Sequence, residues 1–221
     1  MSAARARTGL HVVVTAGPTH EHLDPVRYLG NESSGRMGFA IARAAAEAGH
    51  RVTLIAGPVH LDTPPGVRRV DVVSARDMLA ALRPAFAGAD ALYMAAAVAD
   101  WRPRRRLRGK WRKKDTGAET ASLELVRNPD ILATVTRRKG GRLVVGFALE
   151  TAQGLRRAMG KMERKRADYV VLNDASALGG ERTTVTVLGS DGSAQRLADR
   201  TKAQVARELV RLLLVRPLAD R

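Results

Sequence analysis

The chain has 221 residues, 45% of them hydrophobic, with no cysteine and a formal net charge of +16 at pH 7. This length and apolar content predict a single domain over residues 1–221 with a core of its own. The lack of cysteine excludes a disulfide framework, a thiolate metal site and a cysteine nucleophile. No apolar run matches a signal-peptide core or a membrane span, so we expect a cytoplasmic protein that does not enter membranes.

The first half of the chain alternates between strand and helix patterns. The run "LHVVVTAGPT" predicts a buried strand, and Met37–Gly49 predicts a helix behind it. The runs "RVTLIAG" and "VRRVDVV" predict two more strands, and Asp77–Phe86 a second helix. The segment "ADALYMAAAVAD" predicts a fourth strand that runs into a loop.

The second half continues this alternation. The run "RNPDILATVTRRK" predicts a short helix with Asn128 as its N-cap and Pro129 in its first position. Next come the strand "RLVVGFALE", a helix over Ala152–Arg166, the strand "DYVVLND", a hairpin turning at Asp191-Gly192, and a helix over Thr201–Leu214. The order predicts an α/β, Rossmann-like, doubly wound and mostly parallel sheet with an added antiparallel hairpin.

The positive charge is concentrated in one place. Residues 101–114, "WRPRRRLRGKWRKK", contain nine basic residues and no acidic one, within what we predict to be a flexible basic loop over residues 102–118. Such a run indicates an anionic partner. The composition argues against nucleic acid as that partner, because a chain with only eight aromatic residues offers a poor stacking surface.

The segment after the first strand predicts an anion site. Gly17 follows the strand and Gly35 precedes the helix, but they lie eighteen residues apart, whereas the compact dinucleotide motif places its glycines within six. Ser33, Ser34 and Gly35 would present hydroxyls and backbone N–H groups at a helix start, where phosphate binds well. The alternative is that Ser34 merely caps the helix.

The end of the fourth strand supplies a second candidate segment. Small residues in "MAAAVAD" would let a flat group approach the backbone, and Asp100 would offer a carboxylate to a ribose hydroxyl or a metal. Asp100 alone could equally serve to order its loop.

Six segments in fixed order carry a resemblance that single motifs do not. They are "TAGPTHEHLDPVRYLGNESSGRMG", "AAAVADWRP", "KWRKK", "LVRNPDIL", "VGFALET" and "LNDAS". Together they closely resemble phosphopantothenoylcysteine synthetase, the synthetase part of the bacterial bifunctional protein of coenzyme A biosynthesis, over about residues 10–214.

The resemblance implies a dimeric ligase that joins 4'-phosphopantothenate to cysteine through an acyl-nucleotide. CTP is the expected co-substrate, with ATP as the other possibility, and magnesium or manganese is the expected ion. It implies no flavin on this chain, and a decarboxylation step that is carried out by a decarboxylase on a separate chain or by another route. No metal ligand can be assigned from it.

The resemblance also assigns site residues. Asn31 matches an asparagine that acts on the intermediate, Arg27 an arginine that helps to hold the acidic substrate, and Lys110 and Lys113 catalytic lysines of a closing flap. The nucleotide would be lined by Gly17, Ser33, Ser34, Gly35, Ala95, Ala96, Ala97, Asp100, Pro129, Asp130, Ile131, Leu132, Phe147, Lys161 and Lys165. The pair "GN" with Glu32, and Leu149, depart from the usual pattern.

Two other classes of protein remain as alternatives. An NAD(P)-dependent oxidoreductase would suit the sheet, but the compact glycine motif is missing and no Tyr-x-x-x-Lys follows Tyr28, Tyr93 or Tyr169. A nucleic-acid-binding protein would suit the charge, but the charge lies beside a nucleotide-type site.

Overall fold

A single eight-stranded sheet organises the protein. The computed structural model describes residues 9–112, 119–149, 159–160, 162–173 and 182–215. Its strands are β1 (His11–Ala16), β2 (Glu21–His22), β3 (Tyr28–Leu29), β4 (Arg51–Ala56), β5 (Val67–Asp71), β6 (Ala91–Met94), β7 (Trp101–Pro103), β8 (Leu125–Arg127), β9 (Leu143–Leu149), β10 (Tyr169–Asn173), β11 (Arg182–Gly189) and β12 (Ala194–Thr201). Its helices are α1 (Arg36–Glu47), α2 (Ala75–Ala87), α3 (Ile131–Thr136) and α4 (Lys202–Val215).

The strand order confirms the predicted fold class. The large sheet runs β12-β11-β10-β9-β6-β1-β4-β5. Neighbours from β5 to β10 are parallel, whereas β11 pairs antiparallel with both β10 and β12. The sheet is therefore doubly wound, with the predicted hairpin added at one edge.

Helices cover both faces of the sheet, which explains the uninterrupted apolar runs of its central strands. Val12 and Val14 face one core with α1 and α4, and Val13 faces a second core with α2 and α3. All three side chains are fully buried. Tyr93 is buried as well, and its hydroxyl donates to the Leu209 carbonyl at 2.9 Å, tying β6 to α4.

Capping groups account for the differences between predicted and observed helix ends. The second helix starts at Ala75 and not at Asp77, because Ser74 and Asp77 form a capping box across its first turn. The N-cap of α3 is Asp130 and not Asn128, since the Asp130 carboxylate accepts from the Ala133 N–H at 3.0 Å. Thr201 and Gln204 bond reciprocally at the start of α4.

Other segments agree with the prediction or add to it. The hairpin turn contains Gly192 with a φ of 85°. Residues 159–160 and 162–164 are helical, and the start of the helix predicted over 152–166 lies outside the described residues. The basic loop begins as a strand, because Arg102 and Pro103 belong to β7 and pair with β8. Within the described residues, no helix is both long and apolar enough to cross a membrane.

Candidate active site

The point where the strand order reverses defines the site. From β1 the sheet continues through β4 on one side and through β6 on the other, so the loops after β1 and β6 leave a crevice at the carboxyl edge. These two loops bond to each other: the Ala97 N–H donates to the Gly17 carbonyl at 2.9 Å, and the Thr19 N–H to the Ala97 carbonyl at 3.2 Å. The predicted residues Ala95, Ala96 and Ala97 are half-buried here.

The two glycines separated by eighteen residues meet in space. A Cβ placed on Gly35 would lie 3.4 Å from the Cα and N of Gly17, and both glycines have a positive φ, 77° at Gly17 and 73° at Gly35. The intervening residues form a loop that leaves the sheet and returns. A glycine-lined start of α1 is thus assembled beside the end of β1 without the compact sequence motif.

The start of α1 is free of side-chain caps. Its N-cap is Gly35, which has no side-chain capping bond, and α1 begins at Arg36, one residue before the predicted start. The alternative that Ser34 caps the helix is therefore wrong. The Ser33 hydroxyl accepts from the Gly35 N–H at 3.3 Å, which holds the turn, and Ser34 is exposed. Uncapped N–H groups of a first helical turn are suited to binding phosphate.

Asn31 connects the returning loop to the segment after β6. Its side-chain amide donates to the Val98 carbonyl at 3.0 Å, and the residue is exposed. An amide has two N–H donors, so this bond fixes the side chain and leaves one donor for a ligand. The preceding residue must be small here, because a Cβ on Gly30 would lie 2.8 Å from the Thr19 carbonyl oxygen.

The loop between β2 and β3 holds the basic loop. The Arg27 guanidinium donates to the Trp111 carbonyl at 2.7 Å and pairs with the Asp24 carboxylate at 3.1 Å. Asp24 is fully buried and also accepts from the Trp111 N–H at 3.1 Å. Arg27 and Lys110, which the sequence separates widely, are thereby brought to one region.

The Asp24 carboxylate is stabilised in its charged form. Burial favours the neutral acid, but hydrogen bonds from the backbone N–H groups of Val26, Arg27 and Trp111 outweigh it, and the nearby Arg27 charge adds to them. The pKa of Asp24 is therefore lowered below its usual value. The carboxylate can accept these bonds at neutral pH.

An open cleft of about 540 Å³ lies beside Lys110. Apolar side chains of Leu23, Leu107 and Trp111 line it together with basic side chains of Arg105 and Arg108. This mixture suits an anionic molecule with an apolar part. Lys113, the second predicted flap lysine, lies outside the described residues.

The carboxylate of Asp100 is exposed at the same edge of the sheet. Its backbone carbonyl accepts from the Asn128 N–H at 2.8 Å, and the Asn128 side chain donates to the Ala99 carbonyl at 2.8 Å. Asn128, predicted as a helix cap, instead ties the segment before α3 to the segment after β6. Pro129 follows it and is half-buried.

Several of the remaining predicted nucleotide residues lie at the start of α3 or beside it. Lys165 pairs with the Asp130 carboxylate at 3.1 Å. Ile131 and Leu132 have their side chains in the core, so a ligand there would meet their backbone. Phe147 is partly buried against the core on the other face of the sheet. Lys161 lies outside the described residues.

No group of three or more histidine, aspartate or glutamate side chains suited to a metal occurs among the described residues. Magnesium in nucleotide sites commonly binds substrate phosphates with one or two carboxylates. The exposed Asp100 is a carboxylate of the kind that such a magnesium site uses.

Sequence reasoning did not single out two residues of this region. Asp24 stands in "LDPVR" as an ordinary turn aspartate, and nothing local signals that it is buried or that it reaches residue 111. Gly38 packs α1 directly on β1, because a Cβ there would lie 2.5 Å from the Ala16 Cβ. The spacing of Gly35 and Gly38 in "GRMG" is the one signal that could have found it.

The fold and the crevice define a Rossmann-like α/β protein with a candidate nucleotide site at the carboxyl edge of its sheet. Residues 7–215 match the family model described as DNA/pantothenate metabolism flavoprotein C-terminal domain. The chain belongs to this family.

Curated relatives and a solved structure agree with this assignment. The chain is 46% identical over 178 residues to the "Coenzyme A biosynthesis bifunctional protein CoaBC" of Vibrio cholerae, covering 80% of this chain and 44% of that protein. It is 40% identical over 207 residues to the Bacillus subtilis protein of the same name, covering 91% and 50%. The chain thus spans about half of these relatives or less. A crystal structure of the C-terminal domain of a CoaBC protein matches with a TM-score of 0.82 and 37% identity, covering 95% of this chain and 96% of that one.

A more distant structure shares the fold. The Cab2 mutant H337A in complex with phosphopantothenate-cysteine matches with a TM-score of 0.75 and 16% identity, over 93% of this chain and 85% of that one.

Proposed function

We propose that the protein is a phosphopantothenate–cysteine ligase of coenzyme A biosynthesis that uses CTP, with magnesium, in the cytoplasm. The observation that carries this proposal is the convergence of three segments at one crevice, namely the glycine-lined start of α1, Asn31 and the alanine segment after β6. The basic loop is bonded to Arg27, in the same returning loop as Asn31. The relatives' printed name, a coenzyme A biosynthesis protein, supports it.

The first step of the proposed reaction activates a carboxylate. A carboxylate oxygen of 4'-phosphopantothenate attacks the α-phosphorus of CTP, and pyrophosphate leaves with the electron pair of the broken P–O bond. The product is an acyl-nucleotide. In the second step the cysteine amine attacks the acyl carbon, CMP leaves, and the amine proton is lost to solvent.

Charge is the main obstacle to the first step. Two like unit charges about 4 Å apart repel by about 4 kcal/mol at an effective dielectric of 20, and both substrates are anions. The uncapped start of α1 would receive phosphate oxygens, and Lys110 with Arg27 would offset charge at the reacting end. Asp100 is the carboxylate that would help to hold magnesium, which would supply further positive charge beside the phosphates.

Asn31 has its role in the second step. Its free amide N–H would donate to the oxygen of the acyl carbon as negative charge develops there. The bond to Val98 holds that donor in place before the substrate binds, so little reorganisation is needed during the reaction. No protein nucleophile is required.

We also propose partners for the chain and a place for the nucleotide beside α3. The chain would act as a homodimer and bind no flavin. Its product, 4'-phosphopantothenoylcysteine, would pass to a decarboxylase. The ion pair of Lys165 with Asp130 would place a cation near the start of α3, within reach of the nucleotide.

A reconstituted assay tests the proposal. Purified protein is incubated with 4'-phosphopantothenate, cysteine, magnesium and each of CTP, ATP, GTP and UTP, and both pyrophosphate and 4'-phosphopantothenoylcysteine are quantified. We expect amide product and sustained pyrophosphate release with CTP, and only when both substrates are present. Absence of the amide product with all four nucleotides would overturn the proposal.

A further inference from the structure

The buried carboxylate of Asp24 lies between the loop that carries Arg27 and the loop that carries Lys110. One oxygen, Oδ1, accepts from the backbone N–H groups of Val26 and Arg27, both at 2.7 Å. The other, Oδ2, accepts from the Trp111 backbone N–H and from the Arg27 guanidinium, both at 3.1 Å. Oδ1 therefore stabilises the turn that contains Asp24, and Oδ2 joins this turn to Trp111 of the basic loop.

Two more bonds strengthen the same attachment. The Arg27 guanidinium donates to the Trp111 carbonyl at 2.7 Å, so both backbone groups of Trp111 are held. Four residues earlier, the Leu107 N–H donates to the Leu23 carbonyl at 2.8 Å. Lys110 lies between these two attachment points. A segment held at both ends in this way has less freedom to move than a free surface loop.

We propose that Asp24 is a positioning residue that latches residues 107–111 of the basic loop onto the β2–β3 turn, and so holds Lys110 in the region of Arg27. This inference rests on the proposed function for its kinetic consequence. The latch itself is a physical attachment and can be measured without substrates. Asp24 does not contact reacting atoms in this account, because its carboxylate is fully buried.

The negative charge of Asp24 matters because every hydrogen bond described for its carboxylate comes from an N–H donor. Both oxygens accept from N–H groups, two of them on each oxygen. In Asp24→Asn one oxygen is replaced by an NH₂ group, which cannot accept from Trp111 and Arg27 if the remaining oxygen stays on the turn. The turn is thus retained while the cross-chain bonds are lost.

The chain offers a reporter within the latch. Trp111 is half-buried and Trp101 is the other tryptophan of the chain, 45% exposed, so Trp101→Phe leaves Trp111 as the single tryptophan, which can be excited apart from the tyrosines. Arg104, Arg105, Arg106 and Arg108 are trypsin sites in the same loop. Emission maximum, acrylamide quenching and tryptic cleavage therefore all report on attachment of this loop.

The test compares Asp24→Asn with Asp62→Asn, an exposed aspartate in the loop between β4 and β5, both in the Trp101→Phe background. For Asp24→Asn we expect a red-shifted Trp111 emission, roughly tenfold faster cleavage in residues 104–108, and a roughly tenfold fall in kcat with little change in the KM for nucleotide. For Asp62→Asn we expect no change. Far-UV circular dichroism verifies the fold.

Every other outcome contradicts either the latch, the positioning role of Asp24 or the proposed function. Unchanged emission and cleavage in folded Asp24→Asn would overturn the latch, and changed emission with unchanged kcat would overturn the positioning role. If Asp24→Asn does not fold, Leu107→Pro removes the second attachment without altering a buried charge, and unchanged Trp111 emission in that variant would overturn the latch. A protein without ligase activity but with these fluorescence and cleavage changes would contradict the proposed function alone.

Discussion

Asn31 shows how much the environment of one residue decides. In the sequence it is a polar residue of a loop, and its type and spacing alone would make it a turn residue. In the structure its amide bonds the Val98 carbonyl at the carboxyl edge of the sheet and remains exposed. A held and exposed amide is what stabilisation of a developing oxyanion requires.

Substitution of Asn31 tests this role. In Asn31→Ala we expect amide formation to slow about 100-fold, because one preorganised donor to an oxyanion is lost. Activation of the carboxylate does not use this donor, so a single-turnover burst of pyrophosphate should remain. Quenched-flow measurement of pyrophosphate and amide product separates the two steps.

The neighbouring Glu32→Gln serves as the control, since Glu32 is exposed in the same loop. It should keep both the burst and the turnover. If Asn31→Ala abolished the burst as well, the assignment of Asn31 to the second step would be wrong.

The site residues differ in how far the sequence could predict them. Ser33, Gly35 and Asp100 follow from the rule that ligands bind after parallel strands. The roles of Asn31, Arg27 and Lys110 came only from resemblance, because contacts across loops leave no local pattern. Asp24 could not be predicted, since its burial depends on the path of residues 107–111, far along the chain.

At the scale of elements, the joint between β1 and α1 determines the shape of the crevice. Gly17 and Gly35 pack against each other, and Gly38 lets α1 approach β1 closely. The sequence predicted both elements, because apolar periodicity reports them directly. It could not predict that distant glycines meet, since that depends on a loop returning to its start.

Substitution of Gly38 tests this close packing. A Cβ there would lie 2.5 Å from the Ala16 Cβ and 3.0 Å from the Thr15 carbonyl oxygen, so Gly38→Ala must shift the helix or the strand. We expect the free energy of unfolding to fall by about 1–3 kcal/mol, as for other overpacked cores. Urea denaturation monitored by circular dichroism measures it.

Gly88→Ala is the matched control, because a Cβ there meets nothing within 4 Å and its φ of −101° is open to alanine. It should change stability by less than about 0.5 kcal/mol. Equal effects of the two substitutions would mean that the α1–β1 contact is not tightly packed.

A tertiary hydrogen bond explains why the sequence placed the start of α3 wrongly. Asn128 and Asp130 are both good N-cap residues, and sequence alone cannot rank them. The tertiary bond from Asn128 to the Ala99 carbonyl leaves Asp130 as the cap. The competing interaction is remote, so local preference could not reveal it.

At the scale of the whole molecule, topology was the most predictable property. Alternation of strands and helices defined the doubly wound sheet and the crevice at its switch point. The concentration of basic residues in one loop is explained by the place of that loop in the structure. Part of that loop is bonded to Arg27, in the loop that also carries Asn31, where it would serve anionic substrates, and a net charge of +16 does not require nucleic acid.

If this crevice joins an acid to an amine through an acyl-nucleotide, an oxygen atom of the acid must pass to the nucleotide, and isotope labelling detects that transfer. The protein is incubated with CTP, cysteine and 4'-phosphopantothenate that carries the heavy oxygen isotope in its carboxylate, and the products are analysed by mass spectrometry. We expect one heavy oxygen in CMP and none in pyrophosphate. Heavy oxygen in inorganic phosphate, with CDP as the nucleotide product, would contradict it.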